Sequence, residues 1–152
     1  MKDRFDILRR IRAEFGSEVA AVTRIDILDG MFSHTASTAF SDTLETFETL
    51  RTTNTCCAKV IDSAACVAIS EVSLASGDTR CPMMTAEGFE AYLGVPLFVN
   101  EEVVGALEVI ASAPRHWRND EIALLERFAR IFETQLDGNR AADNVMKLRQ
   151  VR

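Results

Sequence analysis

The chain has 152 residues, 47% hydrophobic and 26% charged, which fits one globular domain and excludes a disordered or low-complexity chain. No stretch approaches the ~18 consecutive apolar residues of a membrane span. The start MKDRFDILRRIRAEF alternates charged and apolar residues, unlike a signal peptide, so a cytoplasmic chain with four reduced cysteines is expected. The net charge of −6 is uneven: residues 1–16 are +2, residues 138–152 are +3, and the body between them is acidic. An acidic body argues against a nucleic-acid partner, and the basic ends read as solvated helix faces.

Phe5, Leu8, Ile11 and Phe15 fall on one stripe of a first helix, with Gly16 as its stop. From Val19 the period changes to two. Val19, Ala21, Thr23, Ile25 and Ile27 share one face of a strand, and Arg24 and Asp26 lie on the other. Asp29 and Gly30 supply the positive φ angles of a tight hairpin turn, and Met31 to about Thr38 forms the returning strand. Leu44, Phe47 and Leu50 recur at helical spacing, so a helical insert is expected over residues 41–65, with a short helix starting near Thr55. Cys66 to Val72 alternates as a strand would. Ser73 to Gly88, with Gly77, Pro82 and Gly88, reads as a long loop of the kind that covers a site.

The last third is the clearest. Tyr92 to Val99 is a nearly continuous apolar strand, which should be central and covered on both faces, with Pro96 marking a bulge or an edge. Asn100, Glu101 and Glu102 turn the chain into a second strand, Val103 to Ala111. Pro114 and Arg115 break it, and Asn119 is expected to cap a final helix with Asp120 and Glu121 in its first turn. Ile122, Leu125, Phe128, Ala129, Phe132 and Leu136 form the buried stripe of that helix. Gly138 should let the tail kink or fray, which divides the chain into a domain over 1–137 and a helical extension or linker over 138–152.

Three stretches together resemble the GAF domain: Ala91-Tyr92-Leu93-Gly94-Val95-Pro96-Leu97, Val104-Gly105-Ala106-Leu107-Glu108-Val109, and the final helix after the Pro114-Arg115 turn. Upstream, Thr55 to Ile61 followed by Val67 to Val72 is similar to the middle of sensor-kinase GAF domains. The resemblance implies an α/β (α+β) fold: a central antiparallel sheet with the terminal helices on one face and a loop-covered pocket on the other. It also implies a sensory or regulatory module, part of a bacterial-type signalling system such as a two-component system. Such a module would bind an unidentified small molecule, dimerise through its terminal helices, and sit beside a histidine kinase or other output domain. Fold by itself does not give function.

The candidate pocket residues are His34, Thr55, Cys57, Cys81, Tyr92 and Glu108. Cys57 and Cys81 are spaced much as the cysteines of a GAF-fold enzyme family, the free methionine-R-sulfoxide reductases, where one thiolate attacks the sulfoxide and a second resolves the sulfenic acid. The sequence departs from that family: its glycines around the insert cysteine are absent, no cysteine precedes Cys56, and its second acidic residue is replaced by Ile110. The expectation is therefore a non-catalytic domain, with the reductase as the rival reading and a ligand-free dimerisation module as a third. Glu108 interrupts an otherwise apolar strand on the face of Val104, Ala106 and Ile110; it must be paired, hydrogen-bonded or neutralised if buried, with Arg24 a possible partner. Tyr92 carries a hydroxyl that could reach a ligand. No CxxC suits zinc, His34 is the only plausible haem ligand, and no histidine follows a cysteine as in bilin photoreceptors, so the cofactor stays unknown.

Overall fold

The computed structural model describes residues 3–28, 31–40, 43–49, 56–74, 84 and 86–150, and within these the side chains of residues 3–24, 56–57, 59–74, 84 and 86–136. Its elements in chain order are α1 (Arg4–Phe15), β1 (Val19–Leu28), β2 (Met31–Phe40), β3 (Thr43–Thr49), α2 (Cys56–Ser63), β4 (Val67–Ile69), a 3₁₀ turn (Val72–Leu74), β5 (Ala91–Val99), β6 (Glu102–Ala111) and α3 (Asn119–Gln150). The strands form one antiparallel sheet in the order β3-β2-β1-β6-β5-β4.

Residues 43–49 correct the expected helical insert. They form a strand that pairs with β2 from Phe40↔Thr43 to His34↔Thr49. The segment Thr-Leu-Glu-Thr-Phe-Glu-Thr has three threonines and a phenylalanine, residues that suit a pleated surface, and a neighbouring strand edge to satisfy its backbone. The three-residue recurrence of Leu44, Phe47 and Leu50 loses to that ladder. The hairpin between β1 and β2 is as expected, with Leu28 opposite Met31; Asp29 and Gly30 lie outside the described residues.

The two faces of the sheet carry separate cores. On one face, α1 and α3 pack over residues that alternate along the strands, among them Ala20, Val22, Leu93, Val95, Leu107 and Val109. Leu8, Ile11 and Leu125 close that core from the helices and are fully buried. Each such side chain contributes about 1.5–3 kcal/mol through removal from water. α1 stops at Gly16, whose φ of 60° returns a backbone N–H to the Arg12 carbonyl. On the other face, α2 packs against β4, β5 and β6 through Cys56, Cys57 and Val60.

The start of α3 corrects a second expectation. The helix begins at Asn119, so the cap position is Arg118, and Glu121 reaches back to accept from the Arg118 N–H at 3.0 Å. This is the carboxylate half of a capping box. Burial would raise the Glu121 carboxyl, but the Arg118 N–H and the Arg115 guanidinium outweigh it and hold it below the usual carboxylate range. Arg115 also stacks over the Trp117 ring at 4.5 Å, and the Trp117 indole N–H donates to the Ile69 carbonyl at 3.1 Å. The link into α3 is thereby tied to the end of β4. α3 continues through Gly138 to Gln150.

Two irregularities shape the central hairpin. Asn100 and Glu101 both have positive φ, 53° and 67°, the geometry of a two-residue turn whose twist suits the strands. Beyond Pro96 the register slips between Leu97 and Phe98, the expected bulge, and among the described residues the outer side of β5 is paired, by β4, only as far as Gly94. Gly105 is required by close approach: a Cβ there would lie 1.9 Å from the Thr23 carbonyl oxygen. Gly105→Ala should force β6 away from β1 and cost at least about 2 kcal/mol, measured as a lowered midpoint in urea unfolding.

Candidate functional site

Cross-strand register assembles the site. Glu108 on β6 lies opposite Gly94 on β5 and Ala21 on β1. Tyr92, two residues before Gly94, points to the same face, and its ring extends along the strand over the glycine. A Cβ at position 94 would meet the Tyr92 hydroxyl oxygen at 2.4 Å, so only glycine leaves room for the ring. The Tyr92 hydroxyl then donates to Glu108 Oε1 at 2.6 Å, in a setting where Tyr92 is 1% and Glu108 6% exposed.

α2 closes the cluster from above. Cys57 donates its thiol to Glu108, and Thr23 of β1 is hydrogen-bonded to Cys57 in turn. Burial, opposed by the hydrogen bonds from Tyr92 and Cys57, pushes the Glu108 carboxyl up to about 7. Burial and then the Glu108 carboxylate raise the Cys57 thiol far above its ordinary value. The same two causes raise the Tyr92 phenol. Two donors do not offset the burial of this carboxyl, and no described cation acts on it.

Hydrogen bonding is the one found among the possibilities left open for Glu108: the acid's described partners are Tyr92 and Cys57 rather than the possible base Arg24. Of the candidate residues, the structure brings together Cys57, Tyr92 and Glu108. His34 sits on β2 opposite Ile25 and Thr49, without a described side chain, and Thr55 and Cys81 lie outside the described residues. Thr23 and Gly94 were missed as members of the cluster. Thr23 was visible as a polar residue on an inward strand face, and Gly94 as a glycine two positions after a tyrosine.

The cysteines divide differently from the expected reduced set. Cys56 is disulfide-bonded, whereas Cys57 and Cys66 carry free thiols. Adjacent helical residues point about 100° apart, so Cys57 reaches Glu108 while Cys56 points to another part of the same buried cluster, with its Sγ 3.6 Å from Met84 Sδ. Among the described residues, no group of three or more His, Cys, Asp or Glu side chains could hold a metal ion. No described helix is long and apolar enough to cross a membrane.

Replacing Gly94 by alanine should displace the Tyr92 ring and cost about 1–3 kcal/mol from overpacking. Tyr92 is the only tyrosine in the chain, so its ionisation can be read without interference. The tyrosinate absorbance of Gly94→Ala should rise at lower pH than that of the wild type, in which burial and Glu108 hold the phenol neutral.

The GAF domain family model matches residues 5–136. No curated protein sequence matches the chain. Among solved structures, the photoproduct state of GAF3 from Slr1393 of Synechocystis superposes with a TM-score of 0.70 at 19% identity, covering 92% of this chain and 94% of that one. A domain from a protein assigned as a two-component sensor histidine kinase of Sinorhizobium meliloti gives 0.62 at 14% identity, covering 93% of each chain. The free methionine-R-sulfoxide reductase of Neisseria meningitidis, in complex with its substrate, gives 0.69 at 14% identity, covering 91% and 78%. At these identities the likeness speaks for the fold. The match over residues 5–136, together with the two-faced antiparallel sheet, establishes that this chain belongs to the GAF domain family.

Proposed function

We propose that this chain is a non-catalytic sensory module that binds a small molecule on the α2 side of its sheet and acts as a homodimer through its terminal helices. Membership of the GAF family supports the sensory role, and the likeness to a sensor-kinase domain and a photoreceptor domain agrees with it. The observation that carries the reading is the buried Tyr92–Glu108 pair on the sheet face opposite α1 and α3. Burying an acid costs stability, and such perturbed groups cluster at sites of recognition and control. His34, Thr55, Cys57, Cys81, Tyr92 and Glu108 are the proposed contact residues. Ligand would favour one arrangement of α2 and the segment after it, and the terminal helices would pass that bias to a kinase or other output domain in the cytoplasm.

A second reading, reduction of free methionine-R-sulfoxide through Cys57 and Cys81, draws support from the Neisseria structure. The state of Cys57 weighs against it: a thiol held protonated by burial and a neighbouring carboxylate is a poor nucleophile. Incubation with methionine-R-sulfoxide and a thiol reductant should give no turnover, and turnover abolished in Cys81→Ser would replace the sensory reading.

Native mass spectrometry of protein purified from its own host tests the main proposal. The expected spectrum shows a dimer with an added small-molecule mass, which Glu108→Gln diminishes. A bare monomer that gains no mass from cell extract would count against it.

A further inference from the structure

The Glu108 cluster has a property that ligand binding does not require. Every hydrogen bond described at Glu108 runs toward it: the Tyr92 hydroxyl from β5 and the Cys57 thiol from α2 both donate, with Thr23 of β1 joined through Cys57. Tyr92 and Cys57 are the titratable groups that face the acid among the described residues, and no described charged side chain acts on it. The ionised form is thus well supplied with donors but has no counter-charge and little water. The protonated form has the environment it needs, except that its own O–H competes with two incoming donors.

The surrounding elements differ in how they can respond. β1, β5 and β6 are each paired on both sides within the sheet, and their other face is held by α1 and α3. α2 has eight residues, packs into the core on this face through Cys56, Cys57 and Val60, and is anchored at its first residue by the Cys56 disulfide, so lifting moves the Cys57 end of the contact and not the tether. Its Cys57 touches the acid directly. When a charge appears beneath it, lifting α2 admits water at far less cost than parting a strand ladder.

We propose that the protonation state of Glu108 controls the docking of α2 on the sheet, so that the α2 face of this domain responds to proton concentration with or without a ligand. Loss of the proton to bulk water leaves an ionised carboxylate that favours the lifted helix, and its return favours the docked one. The folded-state value near 7 stands above that of an unfolded glutamate. The docked state is therefore fully stabilised below the unfolded value and loses that stabilisation as pH rises through about 7.

Amide hydrogen exchange of the full chain at about pH 6 and about pH 8, corrected for intrinsic exchange, tests the latch. Protection of residues 56–63 should fall at least about fivefold relative to α1 and α3 in the wild type, and stay level in Glu108→Gln. Equal loss in all three helices, or the same loss in Glu108→Gln, would overturn the proposal. Carbon-detected titration of the Glu108 carboxyl in the wild type decides the matter even if the variant fails to fold. A midpoint near neutrality supports the latch, and one in the ordinary range of about 4.3 refutes it.

Discussion

A buried carboxyl group with no counter-ion among the described residues, hydrogen-bonded across the centre of a sheet, governs much of what surrounds it in this domain. Glu108 is placed by β6 on the face away from the terminal helices, where the nearest donor is the Tyr92 hydroxyl at 2.6 Å. That contact requires Tyr92 to extend along β5, which in turn requires a glycine at position 94. It also requires the β5–β6 register in which Gly94 faces Glu108. A slip of one residue would turn the acid into the opposite core, among Leu93, Val95 and Leu125. The polar pair and the sheet register therefore constrain each other.

The two faces of the sheet divide stability from adaptability. Under α1 and α3 the core is apolar and continuous, built from fully buried leucines, valines and isoleucines. Under α2 the described core residues mix sulfur, aromatic and polar groups: Cys56, Cys57, Met84, Tyr92 and Glu108. A cover eight residues long over a titratable group holds less burial energy than two longer helices over aliphatic side chains. A site can shift a population only where the states are close in free energy.

The cysteines illustrate how one step along a helix changes chemistry. Cys57 faces Glu108, which keeps its thiol protonated, while Cys56 beside it is disulfide-bonded. Their order in the sequence says nothing about which would be reactive. The phase of α2 against the sheet settles it, and that phase follows from burying Cys56, Cys57 and Val60 together.

The amino-acid sequence alone made the helical ends and the β5–β6 hairpin legible. Their apolar runs are long, and Gly16, Asn100 and Pro114 punctuate them with residues whose backbone preferences are strong. The same logic singled out Tyr92 and Glu108 as polar residues in apolar strands. By alternation it grouped Glu108 with Ala106 and Ile110, which share its core, but also with Val104, which lies at the register slip and packs against the helix-side core. It failed at residues 43–49, where a helical spacing of three apolar residues could not reveal that the edge of β2 stood ready to pair. It required Glu108 to be paired, hydrogen-bonded or neutralised if buried, and left Arg24 as one possible partner, whereas the register supplies a phenol and the helix a thiol. Local periodicity fixes which way a side chain points. Only the tertiary structure decides what waits on the other side, because pairing and helix phase depend on contacts between residues far apart in the chain.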